Sequence, residues 1–297
     1  MSVRSDASGG DVLAQVTGSL GAYGSQIVFL FHGYNDSLTV ARVSYAAFLK
    51  NFPGPGNPLH DKWQPATHAC YWPGDKAWGP FSFASYPLEI AAAKDSAAVF
   101  ANFLANLAIP GGATLDIYFI AHSLGNRLVL ELLSALENLK SAGQLSSQIQ
   151  FKGFCSMAAA VPVSFAEPSG SLFRAATLSA TRRTLYSESD TVLHFAFPLG
   201  ESAAGEGLFP TAIGRFGQPQ SDFTAEAEMF IDAQHGYNHG DYWPQPNTIP
   251  QISSFFGIPT AAAPASTFIA AHSLPAPASL AQNQIPVRSL PTRPAFG

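Results

Sequence analysis

The stretch IYFIAHSLGNR, residues 117–127, decides how the chain is expected to fold. An apolar strand pattern runs into Ser123 and a helical pattern begins directly after it, which is typical of a tight turn that presents a nucleophilic serine. The residues two positions before and after such a serine must be small, because larger side chains would collide in the turn. Gly125 meets this requirement, and Ala121 stands where a glycine is usual. The alternative is that Ser123 only caps the helix that follows.

The chain on both sides of this stretch alternates between short β-rich runs and helical patterns. Strands are predicted at 26–31, 67–72, 113–121, 149–158, 181–187 and 228–233. Helices are predicted at 37–50, 86–107 and 124–141. Apolar strands that alternate with helices of this length predict an α/β fold, in which helices cover both faces of a mostly parallel central sheet.

Three segments are expected along the chain. They are a weakly patterned N-terminal segment at 1–25, a main α/β domain at 26–256 and a Pro/Ala-rich tail at 257–297. The spacing between the 149–158 strand and Asp190 leaves no room for a domain-sized insertion, so a large cap domain is not expected.

Two further polar stretches follow predicted strands. HGYN (32–35) follows the first long strand, where the backbone amide of Tyr34 is a candidate to stabilise an oxyanion. Taken alone, this stretch is an ordinary turn before a helix. Asp190 follows the 181–187 strand and is our candidate for a carboxylate that orients a histidine. Glu188 lies nearer the strand end and can equally be a solvated loop charge.

The histidine that would take the proton of the serine is expected after the last strand. His235 and His239 both lie there, and we favour His239 because its glycine, aspartate and aromatic neighbours suit a loop at the edge of a sheet. The order Ser, Asp, His supports this choice. A metal site built from His235, His239 and Asp241 is the alternative, but Gly236 and Gly240 disfavour the helix that it needs, so no metal is expected.

Five blocks of the sequence together resemble the α/β-hydrolase superfamily. More narrowly, the chain looks like a subfamily of uncharacterised bacterial serine hydrolases related to esterases and lipases. The resemblance runs from about residue 26 to 245 and rests on VFLFHGYNDS (28–37), YWPGD (71–75), IAHSLGNRLVLE (120–131), LYSESDTVL (185–193) and HGDYW (239–243). Ala121 departs from the usual glycine of the superfamily, although the subfamily pattern tolerates it.

The resemblance implies a catalytic triad and an oxyanion hole. The triad would consist of Ser123, His239 and Asp190, and the backbone amides of Leu124 and Tyr34 would form the oxyanion hole. An α/β-hydrolase fold without a large cap domain is also implied.

The activity expected of such a site is hydrolysis of carboxylic esters through an acyl-enzyme, without a cofactor. The low charge of the chain and the apolar stretches around the candidate residues favour a small apolar or aromatic ester as the substrate. The loop at 194–224 with Phe195, and also Trp72, are expected to line the substrate pocket. The same triad can serve an amidase, a peptidase or an acyltransferase, and a catalytically silent binding module is a further alternative.

Composition excludes several classes of partner. Charged residues make up 12% of the chain and the formal net charge is -5, which argues against a nucleic-acid binder or a polybasic membrane anchor. Cys70 and Cys155 lie in apolar runs, which favours buried free thiols over a bridge. The N-terminus lacks the apolar run of a signal peptide, so a cytoplasmic location is the default expectation, and no membrane span is expected. The sequence leaves the oligomeric state open.

Overall fold

A parallel sheet of five strands forms the centre of the protein. The computed structural model describes residues 1–4, 12–17, 25–74, 82–109, 113–215 and 236–256, all within a compact unit that spans Met1–Thr260. In chain order the strands are β1 (Ser2–Arg4), β2 (Val12–Thr17), β3 (Gln26–Phe31), β4 (Thr67–Cys70), β5 (Leu115–His122), β6 (Ile149–Met157) and β7 (Thr181–Leu185). The five strands β3 to β7 form the sheet, whereas β1 and β2 pair antiparallel with each other.

Helices connect these strands. They are α1 (Leu38–Lys50), α2 (Ser82–Ala105), α3 (Gly125–Ser141), α4 (Val163–Ala166), α5 (Phe173–Leu178), α6 (Phe197–Ala203) and α7 (Thr248–Ser253). Two π-helical turns, Leu59–Trp63 and Val192–Ala196, and a 3₁₀ turn at Ser254–Phe256 complete the described elements. All three predicted helices are confirmed, although α2 begins at Ser82 rather than at residue 86.

The order of the strands across the sheet is β4-β3-β5-β6-β7, and every neighbouring pair is parallel. The chain therefore passes from β3 to an edge strand and returns on the other side of β3 to form β5. The ring of Phe31 packs against Phe100 of α2, whereas the ring of the next residue, His32, packs near Tyr45 of α1. Because consecutive residues point to opposite faces, α1 and α2 cover opposite faces. A crevice is expected where the loops after β3 and β5 diverge in this way.

The sheet forms because its strands are apolar on both faces. Residues 27–31 of β3 are all buried, and 119–122 of β5 are buried as well. Continuous burial of this kind distinguishes a parallel sheet between two helical layers from a sheet with one wet face. The α/β fold predicted from the sequence is confirmed. Between β6 and β7 the described chain forms the short helices α4 and α5 rather than a domain-sized insertion.

Two strands, β4 and β7, end two residues earlier than predicted, and the reasons are local. β4 ends at Cys70 because its partner there is Phe31, the last residue of β3. β7 ends at Leu185, and the N–H of Ser187 donates instead to the carbonyl of Gly214 at 3.0 Å.

The N-terminal residues contribute more than their weak pattern suggests. Ser2 forms a parallel bridge with Tyr71, and the N–H of Tyr71 donates to the carbonyl of Met1 at 3.0 Å. These contacts extend the hydrogen bonding at the edge of the sheet beyond the end of β4. The strand predicted at 228–233 and the tail at 257–297 lie outside the described residues.

Both cysteines are buried and free, as predicted. Burial raises the pKa of the Cys70 and Cys155 thiols to about 12, which keeps them protonated and unreactive near neutral pH. Among the described helices, none is both long enough and apolar enough to cross a membrane.

We predict that Tyr45→Phe lowers the free energy of unfolding by about 1 to 3 kcal/mol. The buried hydroxyl of Tyr45 donates towards the carbonyls of Leu30 in β3 and Cys70 in β4, at 3.0 and 2.9 Å. Its removal leaves both carbonyls buried without this donor. Urea unfolding measures the change, with Tyr186→Phe at a half-buried position as the matched control. An equal, small effect of both substitutions would contradict the prediction.

Candidate active site

Ser123 lies in the turn between β5 and α3 with a left-handed backbone, at a φ of 53°. Residues other than glycine are uncommon in this conformation, so contacts with neighbouring residues must hold Ser123 in it. The N–H of Ser123 donates to the carbonyl of Met157 at 3.0 Å, and its own carbonyl accepts from the N–H of Ala160 at 3.2 Å. The buried side-chain amide of Asn126 donates to the carbonyls of Ser123 and Met157. The turn is therefore fixed to the end of β6.

The turn also lies directly against the loop after β3, because two glycines permit the contact. A Cβ on Gly33 would lie 2.7 Å from the Cβ of Ser123, and a Cβ on Gly125 would collide with the carbonyls of Phe31 and His32. The small residue predicted at position 125 is thus required by the backbone of the neighbouring strand. The close contact brings the stretch at 32–35 beside the serine.

The structure brings Ser123, His239 and Asp190 together in a continuous chain of hydrogen bonds. His239 Nε2 lies 2.8 Å from Ser123 Oγ, and His239 Nδ1 lies 2.8 Å from Asp190 Oδ2. Because an ionised carboxylate can only accept, Nδ1 carries the proton and Nε2 can accept from the serine hydroxyl. Asp190 is fully buried, and its other oxygen accepts from the N–H of Leu193 at 2.9 Å. The alternative carboxylate, Glu188, is exposed.

The loop that carries His239 is held from several sides. His122 Nε2 donates to the carbonyl of His239 at 2.7 Å, and Ser187 Oγ donates to the carbonyl of Tyr237 at 2.7 Å. The side chain of Asn238 accepts from the N–H of His239 at 2.9 Å. These contacts fix the position of the imidazole relative to the ends of β5 and β7.

The residue before the serine, His122, is expected from the sequence to pack or to make a supporting hydrogen bond, but the sequence does not reveal its partner. It lies next to Ser123, yet its partner is 117 residues away along the chain. Burial and the neighbouring His239 lower the pKa of His122 to about 3, so the ring is neutral and donates through Nε2. Its Nδ1 is buried, and no hydrogen-bond partner for it exists among the described residues.

The prediction that Trp72 lines a substrate pocket is wrong. Trp72 is fully buried, and its ring stacks on that of His32 with centroids 5.6 Å apart. Its indole N–H donates to the carbonyl of His32 at 2.9 Å, and its backbone N–H donates to His32 Nε2 at 3.3 Å. Trp72 therefore packs against the end of β3, and its indole is not available to contact a substrate.

The two candidate oxyanion residues flank the serine. Leu124 follows it directly at the N-terminus of α3, where the helix dipole favours negative charge. Tyr34 follows Gly33, whose backbone lies against the serine side chain. The N–H of Gly33 donates to Asp36 Oδ2 at 3.1 Å, which fixes this loop.

A cavity of about 290 Å³ opens beside Ser123 and His239. This volume lies near the lower end of the range for pockets that bind small molecules, about 300 to 1,000 Å³. Aromatic and aliphatic side chains make up most of the wall, including Tyr34, Tyr86, Ala160, Val192, Leu193 and Phe197.

The prediction that Phe195 lines this cavity is also wrong. Phe195 is 65% exposed and lies on a separate surface groove with Leu199 and Phe209. The predicted loop at 194–224 starts as the helical turns 192–203, and its last residues, 216–224, lie outside the described residues. In the helical part, Leu193 and Phe197 face the cavity, so the residue midway between them points to the surface.

The metal alternative gains no support from the geometry. Both ring nitrogens of His239 are engaged with Ser123 and Asp190, and Asp241 Oδ2 accepts from the N–H of Asn238 at 2.7 Å. His235 lies outside the described residues. In the part of the chain that the structure describes, no group of three or more His, Cys, Asp or Glu side chains is arranged to hold a metal ion.

Comparison with known protein families gives a match to the described fold. A family model described as an alpha/beta hydrolase of unknown function (DUF900) matches residues 16–194, which is more than half of the 297-residue chain. The matched stretch includes Ser123 and Asp190 and ends before His239. No curated protein matches the chain.

We predict that His122 makes the fold sensitive to mild acid. Its pKa in the folded chain, about 3, lies below the ordinary value of 6.5, so protonation favours the unfolded chain. The contribution of His122 is therefore complete above about pH 6.5 and is lost progressively as the pH falls towards about 3. Between about pH 7 and about pH 5, the wild type should lose about 2 kcal/mol more than His122→Gln, whose amide can still donate.

Urea unfolding at the two pH values measures this difference. His194→Gln, at an exposed position, is the matched control and should keep the pH dependence of the wild type. An identical pH dependence in the wild type and His122→Gln would exclude His122 as the source.

Proposed function

The chain belongs to this family of α/β hydrolases of unknown function, and we propose that it is a serine hydrolase that cleaves carboxylic esters. One observation carries the proposal: the hydrogen-bonded chain Asp190–His239–Ser123 ends at the apolar cavity. In the proposal Ser123 is the nucleophile, His239 the general base and acid, and Asp190 the carboxylate that orients and stabilises the imidazole. This chemistry requires no cofactor.

Acylation is the first half of the proposed reaction. Ser123 Oγ attacks the ester carbonyl carbon while its proton moves to His239 Nε2, and a tetrahedral oxyanion forms. The bond to the alcohol oxygen then breaks, and His239 returns the proton to that oxygen. The acyl group remains on Ser123. The buried carboxylate of Asp190 stabilises the imidazolium while it exists, because a low-dielectric site strengthens the attraction.

In deacylation, a water molecule takes the place of the alcohol, and Ser123 becomes the leaving group. His239 takes a proton from a water molecule, the resulting hydroxide attacks the acyl carbon, and the carboxylic acid leaves as Ser123 regains its proton. The backbone amides of Leu124 and Tyr34 are the proposed donors to the oxyanion in both halves. The contact of Gly33 with Ser123 and the position of Leu124 at the start of α3 support this assignment.

Other reactions can use the same three side chains. An amidase or a peptidase would transfer the proton to an amine, and an acyltransferase would use an alcohol or amine instead of water. A silent binding module is a weaker alternative, since binding alone does not require a buried carboxylate aligned with a histidine and a serine. The apolar wall of the cavity favours an uncharged small-molecule ester as the substrate.

We predict that a fluorophosphonate probe labels the wild type and fails to label Ser123→Ala. His239→Ala and Asp190→Asn should lower kcat for a simple ester by about 10⁴-fold or more, because the serine loses its base or the base loses its orientation. His235→Ala is the matched control and should keep the wild-type rate. Labelling that persists in Ser123→Ala, or full activity in His239→Ala, would refute the assignment.

We predict that ester hydrolysis exceeds both amide cleavage and acyl transfer when the acyl group is the same. An amide is the less electrophilic substrate, and its amine is the poorer leaving group. The measurement compares kcat/KM for an ester and an amide of one acid, and then the yield of transfer product when an alcohol is added. Amide cleavage at the rate of the ester would indicate an amidase, and transfer product in excess of free acid would indicate an acyltransferase.

A further inference from the structure

Two tyrosine rings form part of the cavity wall while their hydroxyls are bound elsewhere. The Tyr86 hydroxyl donates to Glu201 Oε1 at 2.9 Å, and the Tyr34 hydroxyl lies 2.9 Å from Ser85 Oγ. The two rings meet edge-to-face with centroids 5.8 Å apart. Both tyrosines therefore present carbon surface to the cavity. A substrate group packed against these rings therefore contacts an apolar surface, although tyrosine carries a polar hydroxyl.

The polar side chains in the cavity wall belong to its reactive end. Ser123 and His239 are hydrogen-bonded to each other, and Asn35 follows the candidate oxyanion residue Tyr34. The remaining described wall comes from Ala160, from Tyr86 in α2 and from the segment 192–200. A group that extends from the reactive carbon along this wall finds apolar atoms and loses its contact with water. Burial of a hydroxyl or a charge there would be costly.

Glu201 holds Tyr86 and α6 together below the surface. Glu201 is 1% exposed, and burial raises the pKa of its carboxyl to about 7, although the Tyr86 hydroxyl and Arg127 oppose the shift. Arg127 also contacts Glu206, which pairs with Lys94 of α2. The wall of the cavity therefore rests on a network that joins α2, α3 and the end of α6.

The contact between Tyr86 and α6 is tight. Gly200 lies in α6 against the ring, and a Cβ at this position would lie 2.7 Å from Tyr86 Cδ1. Both residues line the cavity. Because the helix has no space to yield in this direction and the hydroxyl is bound to Glu201, the ring cannot easily turn aside for a longer substrate.

We propose that the wall formed by Tyr86 and the segment 192–200 is the acyl pocket, and that Tyr86 limits the length of the acyl chain. This inference rests on the proposed ester hydrolase. The substrate class is an ester of an unsubstituted hydrocarbon acid of short or medium length. Ala196 lines the same cavity although it is solvent-exposed, so it lies at the mouth of the pocket.

The size of the cavity gives the expected profile. Each buried methylene contributes about 0.8 kcal/mol, so kcat/KM should rise about fourfold for each added methylene while the chain still fits. A cavity near the lower limit for small-molecule pockets should fill at a short or medium chain length. Beyond that length the chain meets the ring of Tyr86, and kcat/KM should fall.

The experiment measures kcat/KM for esters of one alcohol with straight acyl chains of two to sixteen carbons. Fluorophosphonate titration corrects each variant for its content of active serine. Tyr86→Ala should shift the optimum by at least two carbons to longer chains, and Ala196→Leu should shift it to shorter chains. Phe195→Ala changes the outer face of the same segment and is the matched control, so its profile should equal that of the wild type.

A folded and titratable Tyr86→Ala variant with the wild-type optimum would overturn the inference, and so would an equal shift in Phe195→Ala. If Tyr86→Ala does not fold, because Glu201 loses its donor, Ala196→Leu decides: an unshifted optimum contradicts the acyl pocket. Failure of the proposed function is distinct, since the folded wild type would then neither turn over any ester nor react with the probe.

Discussion

The left-handed turn at Ser123 is the constraint on which the other parts of the site depend. A serine with a φ of 53° persists only where its neighbours leave no alternative. Here the ends of β3, β5 and β6 converge on it, and Gly33 and Gly125 permit backbone contacts that any side chain would prevent. The buried amide of Asn126 ties the carbonyl of this turn to β6. The direction of the serine hydroxyl is therefore set by the sheet.

The loops opposite the serine are arranged around this fixed point. Asp190 and His239 lie 49 residues apart in the chain, on two different loops. A hydrogen bond between their side chains joins the two loops. His122, next to the serine, holds the carbonyl of His239, while Ser187 at the end of β7 holds the same loop. The neutral imidazole of His122 and the hydroxyl of Ser187 perform this task.

The sequence predicts the elements of the fold and the side chains of the proposed triad because both depend on local patterns. Apolar runs, and polar residues directly after them, place Ser123, Asp190 and His239 at one edge of a parallel sheet. The fates of Trp72 and Phe195 were not predictable in this way, because they depend on contacts with His32 and on helical turns where a loop was expected. The strands β1 and β2 were not predicted, because β1 is only three residues long and both lie in a segment rich in glycine and serine.

Asp190 also links two properties that are usually discussed separately. One carboxylate oxygen accepts a hydrogen bond from His239 Nδ1, and the other accepts one from the N–H of Leu193. Leu193 lies at the start of the segment that lines the cavity. In the proposed function, reshaping this segment to admit a different acid would also move the anchor of the proposed base. Substrate preference should therefore change more readily at Tyr86 of α2, which lines the cavity while its hydroxyl is bonded to Glu201 and not to Asp190. The proposed selectivity would then change at Tyr86 while the hydrogen bond between Leu193 and Asp190 is kept.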